Sequence, residues 1–326
     1  MKTSIHQSLI LLTLLMSNPA AAEVLTVAIG NEDAGYAEKL APLVNGTETD
    51  GQLTLNFLVC WMPEALNTLQ KKVKTTFFIE QIFYSPSYEN KRRSQPNLED
   101  RPFSGWLGTG IHLQRRHLTS YDFLESLGDV KISTGFLGKA SGTQQMQDYL
   151  HDVRGHNKHD GWDNLSESKI RFLFRYDHYL RFMHTLPGTR YGGDLLAGAG
   201  ITTGTLQSAG NISAVLRAGK NLHGDFGPVR VNQRLHPLPY TDSRQGWNYN
   251  LFVGVKQEWI LYDAFLEGEE LSHSVRAENE VLEFQAGLQL EYKKVKLTCT
   301  INKRGREFAT QEKEHTFYSL FLSYAF

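Results

Sequence analysis

The chain has 326 residues, a formal net charge of −1 and two cysteines, Cys60 and Cys299. The near-zero charge argues against a nucleic-acid binder, which usually shows a clear basic excess. Two cysteines make no disulfide framework, so the fold must be held by packing or by sheet closure.

Residues 1–22 read as an export signal. Lys2 supplies the positive start, Leu9 to Met16 the apolar stretch, and Ala20-Ala21-Ala22 the small-residue cleavage site, with cleavage expected before Glu23. The apolar stretch falls short of the roughly 20 residues of a spanning helix. No later segment reaches that length without charges, which excludes helical membrane topology. Residues 23–326 are expected to form a single domain. An exported, cysteine-poor chain suits a bacterial envelope, either as a soluble periplasmic protein or as an outer-membrane barrel.

Period-two alternation carries the next step. It predicts about twelve strands, near 23–31, 50–60, 73–84, 103–116, 121–138, 167–184, 189–204, 210–221, 246–258, 279–292, 294–304 and 315–326. The late strands show it most clearly. Leu282, Phe284, Ala286, Leu288, Leu290 and Tyr292 alternate with Glu283, Gln285, Gly287, Gln289 and Glu291. Tyr318, Leu320, Leu322, Tyr324 and Phe326 share one face of the last. A soluble sandwich and a membrane barrel both alternate, with opposite faces wet. Strand lengths near ten residues, the export signal and the terminal aromatic favour the barrel.

With both ends in the periplasm, the connections 32–49, 85–102 and 139–166 fall on the outer rim. Residues 222–245 would then form a long periplasmic turn, where barrels usually keep turns short. Cys60 takes the polar parity and Cys299 the lipid-facing one, so the two are not expected to pair.

The unusual chemistry lies in those three outer connections. Between Gly135 and Trp162 the chain leaves a strand, crosses a glycine-rich bend and forms a short helix carrying Gln147 and His151. Four residues apart, these stack on one helical face and address one reacting group together. His151 has the near-neutral pKa range that suits a base. His156 and His159 nearby read as solvated loop residues, or as fallback metal ligands. Asn31, Glu32 and Asp33 close the first strand with oxygen donors, the type that hard calcium prefers. Thr49 lies at the start of the second strand, where it orients water or substrate or is an ordinary strand residue. Lys91, Arg92 and Arg93 offer cations to phosphates or simply face an anionic surface. No G-x-S-x-G elbow occurs, which leaves attack by an activated water as the simpler route.

Taken together, YSPSYENKR (84–92), DRPFSGWL (100–107) and GFLG…Q…H…GW (135–162) resemble the outer-membrane lipid A 3′-O-deacylases. NLHGDFGP (221–228) and FLEGEELSHSV (265–275) add to the likeness, which runs over essentially the whole mature length. The resemblance implies a twelve-stranded transmembrane antiparallel β-barrel with a short helix in an extracellular loop. It also implies a site between helix and wall, and calcium-dependent hydrolysis of the 3′-linked acyloxyacyl ester of lipid A, or lipopolysaccharide, in the outer leaflet. Transferred position by position, His151 is the base and Gln147 the helix amide, with Asn31, Thr49 and Lys91 completing the catalytic set. Lys91 and Arg92 then position substrate, and Glu32, Asp33 and Asn31 are the candidate Ca2+ ligands.

Two positions depart from the family pattern. An aspartate commonly follows the asparagine, and here it is Glu32, with Asp33 next. An acidic residue commonly lies six past the histidine, and here it is Asn157. A monomer acting on lipopolysaccharide among outer-membrane lipids is expected, with no nucleic-acid partner. The alternatives are an outer-membrane phospholipase and a catalytically inactive lipopolysaccharide-binding barrel.

Overall fold

The computed structural model describes residues 22–31, 55–63, 73–86, 96–118, 121, 123–154, 158, 160–165, 167–222, 226 and 246–326. The expected signal segment, apart from Ala22, lies outside these residues. So do Glu32, Asp33, Thr49, Lys91, Arg92, Arg93, His156, Asn157 and His159.

The described residues form twelve antiparallel strands: β1 (Ala22–Asn31), β2 (Leu55–Pro63), β3 (Lys74–Tyr84), β4 (Ser104–Leu118), β5 (Leu124–Leu137), β6 (Lys169–Thr185), β7 (Tyr191–Gly204), β8 (Gln207–Lys220), β9 (Trp247–Asp263), β10 (Glu280–Tyr292), β11 (Val295–Arg304) and β12 (His315–Ala325). Each pairs with its chain neighbours, and β1 pairs with β12, so the sheet closes on itself. Closure leaves no edge with unpaired backbone groups, the condition for a sheet to cross hydrocarbon. The described helices are α1 (Thr143–Arg154), between β5 and β6, and α2 (Ala264–Glu267), between β9 and β10. Neither is long and apolar enough to cross a membrane.

The predicted strands correspond one to one with these, and the differences are at their ends. Strand β8 begins at Gln207 rather than 210, and β9 runs to Asp263 rather than 258. A register shift between Ser208 and Ala209 explains both, because it interrupts the strict alternation where the two strands pair.

The two faces of the wall are inverted relative to a soluble protein. Phe136, Phe172, Phe174, Leu195, Leu216, Leu251, Val253, Phe284 and Leu322 are exposed on the outside. Aromatic rings ring the rim where β1 begins and β12 ends: Trp247 stacks on Tyr292 at 4.6 Å, and Tyr191 meets Tyr249 edge-on at 6.4 Å. An apolar band bounded by an aromatic girdle is the surface a bilayer requires. Cys60 is buried on the lumen side and Cys299 is exposed, so the cysteines are both free, as their parity predicts.

The lumen is filled rather than open. Arg304 donates to Glu258 at 2.9 Å, Glu283 at 2.9 Å and Glu307 at 3.0 Å. His112 Nε2 hydrogen-bonds the Asp129 carboxylate at 2.7 Å, Arg175 pairs with Asp177 at 2.6 Å, and Lys131 with Glu80 at 2.7 Å. Arg217 grips the Asp194 carboxylate with two donors, and both side chains are fully buried. Buried ions of this kind are tolerated only when each has a partner close by.

Both mouths are closed by apolar side chains. At the helix rim, α2 is capped by Asp263, whose Oδ1 accepts from the Phe265 amide at 3.0 Å. Phe265 then packs edge-on against Tyr84 at 5.1 Å, and Arg101 covers the other part of that ring at 4.0 Å. At the opposite rim the described residues of the 222–245 connection, Leu222 and Phe226, are both buried. Phe226 is buried among Leu127, Tyr179, Leu196, Val215 and Phe252. Its ring lies 4.3 Å from the Arg181 guanidinium, which also donates to the Leu222 carbonyl at 3.2 Å. Phe226 thus caps this end of the lumen.

Replacing Arg217 by Met is expected to cost about 3–5 kcal/mol, because Asp194 stays buried without its paired donors. Replacing both residues by apolar ones is expected to recover most of that loss. Urea midpoints for unfolding from lipid vesicles measure both variants, and a midpoint unchanged in Arg217→Met contradicts the lumen account.

Candidate active site

The connection between β5 and β6 doubles back and sits on the outside of the wall. Gly138 makes the first bend at φ +107°, and its amide donates to the Gly105 carbonyl of β4 at 2.9 Å. A single 3-10 turn (Lys139–Ser141) follows, closed by Gly142 at φ +66°, a left-handed conformation open to glycine at little cost. Helix α1 begins immediately afterwards.

Parity decides which side of the wall carries the helix. Trp106 donates from Nε1 to Glu80 in the lumen at 3.1 Å, so Gly105 and Gln81 belong to the outer face. Gln81 Nε2 donates to the Ser141 carbonyl at 2.8 Å. A Cβ placed on Gly105 would lie 1.9 Å from Thr143 Oγ1 and 2.6 Å from Ser141 Oγ. The start of α1 therefore rests directly on the outer backbone of β4, at a place where no side chain intervenes.

The rest of the connection seals this contact. Phe83 and Phe103 would face lipid by parity, yet they are 1% and 4% exposed because the connection covers them. Trp162, in a 3-10 turn (Asp160–Asn164), lies 4.8 Å from the Phe103 ring and 6.5 Å edge-on from Phe83. Leu165 and Leu271 complete the cluster, and Met146 of α1 packs on it. His273 reaches across from the β9–β10 connection to the Asp100 carbonyl at 2.7 Å.

On this seat the wall-facing side of α1 carries Thr143, Gln147 and His151, while Gln145, Tyr149 and Asp152 face away and are exposed. Gln147 is buried, and its Oε1 accepts a hydrogen bond from the Trp162 indole N–H. Its Nε2 has no hydrogen-bond partner among the described residues. A buried amide donor without a partner is costly unless a ligand meets it. His151 is half-buried one turn further on. Beside it, burial pushes the Asp148 carboxyl up from its ordinary value, with Lys158 and His151 pulling against the shift and Asp152 and Asp163 adding to it.

The structure thus brings Gln147 and His151 together on one face, as their spacing predicts. The backbone of Asn31 closes β1 opposite Tyr318, at the same rim. Gly30 pairs with Asn56, Asn56 with Ile82, and Ile82 with Trp106, so the end of β1 is joined to the seat of the helix through three rungs of the sheet. Among the described residues no cluster of three or more His, Cys, Asp or Glu side chains could hold a metal ion. The sequence reading gave no role to Gly105, Gln81, Phe83, Phe103 or Trp162. For Gly105 and Trp162 a signal was present in the SGWL and GW strings, where tryptophan stands beside glycine, whereas Gln81, Phe83 and Phe103 carry none.

Two expected outcomes test this geometry. Gly105→Val should lift α1 from the wall and speed amide exchange in residues 143–154, whereas Gly210→Ala, whose added Cβ meets nothing within 4 Å, should not. Equal exchange in both contradicts the seat. Because the folded-state pKa of Asp148 is raised, its contribution to stability is present at low pH and lost as pH rises through that pKa. Asp148→Asn should therefore slow exchange of the helix amides at pH 7 and make no difference below the ordinary value of 3.8. Faster exchange in the variant at pH 7 contradicts the sign.

The comparisons with known proteins agree with the geometry. A family model described as outer membrane protein LpxR matches residues 27–326. The solved structure of LpxR from Salmonella typhimurium aligns with a TM-score of 0.77 at 22% identity, covering 93% of this chain and 100% of that one, a likeness in fold. The β domain of the Bordetella autotransporter BrkA covers 94% of this chain and 100% of its own at 6% identity and a TM-score of 0.47, on which no argument rests. No curated protein matches. Since the family model spans the strands, the helix and the rim connections alike, the chain belongs to the outer membrane protein LpxR family.

Proposed function

We propose that the protein is a calcium-dependent lipid A 3′-O-deacylase of the outer membrane, with its active site facing outward. The observation that carries this reading is the pairing of Gln147 and His151 on a helix face pressed against the lipid side of the wall. A site there meets a membrane lipid laterally, without drawing it into the lumen. The ester lies near the polar edge of the bilayer while its acyl chains stay among the outer residues of the wall. Family membership supports the same reading.

In this proposal His151 takes a proton from a water that attacks the ester carbonyl carbon. The Gln147 amide donates to the carbonyl oxygen as charge develops there. The C–O bond to the sugar then breaks, and His151 returns the proton to the departing 3′ oxygen. The products are a sugar hydroxyl and a free acyloxyacyl acid. Lys91 and Arg92 hold lipid A phosphate, and Thr49 orients water or the ester.

Calcium fits the donors at the end of β1. Asn31, Glu32 and Asp33 carry side-chain oxygens of the kind calcium takes, and β1 leads to them from the rungs that end at the helix seat. When bound, the ion supports negative charge on the ester oxygen. The lumen gives no support to a barrel that passes solutes, because Trp106, Arg101, Arg181, Arg217, Arg304 and Phe265 are fully buried side chains.

Lipid A mass spectra from cells with wild type or His151→Ala, with calcium added or chelated, test the proposal. Loss of the 3′ acyloxyacyl group is expected only with wild type and calcium, and His151→Ala should lower the rate at least about 100-fold. New lysophospholipid in place of altered lipid A would favour the phospholipase reading. Spectra identical for wild type and variant would favour an inactive lipopolysaccharide-binding barrel.

A further inference from the structure

The partner of Gln147 points to a further functional residue. We infer that Trp162 is a positioning residue that locks the Gln147 amide with its NH2 turned toward the reacting ester; its catalytic meaning rests on the deacylase reading above.

A glutamine side chain ends in two groups of nearly equal size and opposite hydrogen-bonding sense. Its last torsion is broad and roughly two-fold, so rotation alone exchanges them. Toward an ester carbonyl the difference is decisive. The NH2 end donates to the oxygen as it gains charge, whereas the carbonyl end opposes it.

An indole N–H can only donate. The Gln147 atom that faces Trp162 Nε1 must therefore be the oxygen, and the nitrogen must point the other way. Both side chains are buried, Trp162 completely, so water does not compete for this bond. The nitrogen is also the atom with no partner among the described residues, which is what a donor kept for substrate looks like.

Trp162 is itself held. Phe103 and Phe83 pack on its ring. A Cβ on the preceding Gly161 would come within 2.2 Å of the Phe103 ring, so the approach depends on glycine there. Trp162 stands 15 residues from Gln147, on the turn that closes the same connection. The orientation of the amide is thus set only when α1 and the turn that carries Trp162 have both packed onto the wall.

The test separates this bond from packing and from the deacylase reading. In lipid nanodiscs the Trp162 indole N–H resonance, identified among five tryptophans by its loss in Trp162→Phe, should move in Gln147→Ala. It should stay near its wild-type position in Gln147→Glu, which keeps an acceptor. A resonance that ignores Gln147→Ala overturns the inference whatever the activity.

In the lipid A assay Trp162→Phe keeps the ring packing and loses the donor, so kcat should fall about 10- to 100-fold with KM little changed. In a Gln147→Ala background the same change should add little. Equal loss in both backgrounds would mean that Trp162 acts through packing and would overturn the inference. A resonance that moves as expected, with no deacylation by the wild type, would overturn the deacylase reading and leave the hydrogen bond standing without a catalytic role.

Discussion

The site depends on one close approach, between the backbone of β4 at Gly105 and the start of α1. Helices shorter than about 12–15 residues are marginal in water unless something packs on them. Here the support is the outer surface of a closed sheet, reached because position 105 carries no side chain. The Gln81 amide and the Gly138 bend hold the same few residues. Once the helix start is fixed, its periodicity sends Gln147 and His151 toward the wall and leaves Gln145 and Tyr149 exposed. The chemistry of the loop follows from a contact that has no chemistry of its own.

A wall can serve as such a platform only if it is stiff. The lumen supplies that stiffness through charges that would be costly if any lacked a partner. Arg304, with carboxylates on β9, β10 and the turn after β11, and Arg217, with Asp194 directly opposite on β7, tie neighbouring strands together along the inner face. Phe265 and Phe226 close the two mouths over this network. The inside is thereby committed to structure, and the outside near the helix rim carries the helix on which the proposed function rests. This division explains why the unusual residues of the chain collect in rim connections.

Much of the barrel was legible in the residue order, because a strand with one polar and one apolar face writes its period directly into the sequence. The limits appear where that period breaks, as at the Ser208–Ala209 register shift between β8 and β9. The Gln147–His151 pair was legible too, since helical spacing alone puts both on one face. What holds the pair was not. Phe83 and Gln81 look like ordinary lipid-facing positions, and only the folded connection shows that they are covered. Trp162 looked like a motif letter, and its hydrogen bond to Gln147 joins segments no local pattern relates. Phe226 lies in the long 222–245 stretch, and no local pattern marks its burial beside Arg181.

The central claim is that α1 lies on the lipid side of the wall. A photoreactive benzophenone side chain at position 150, on the half-buried side of the helix, tests it most directly in native outer membranes. Crosslinks to peptides from β3 and β4 and to lipopolysaccharide are the predicted result. Crosslinks to the lumen side chains of β8 to β10, with none to β3, β4 or lipid, would contradict it.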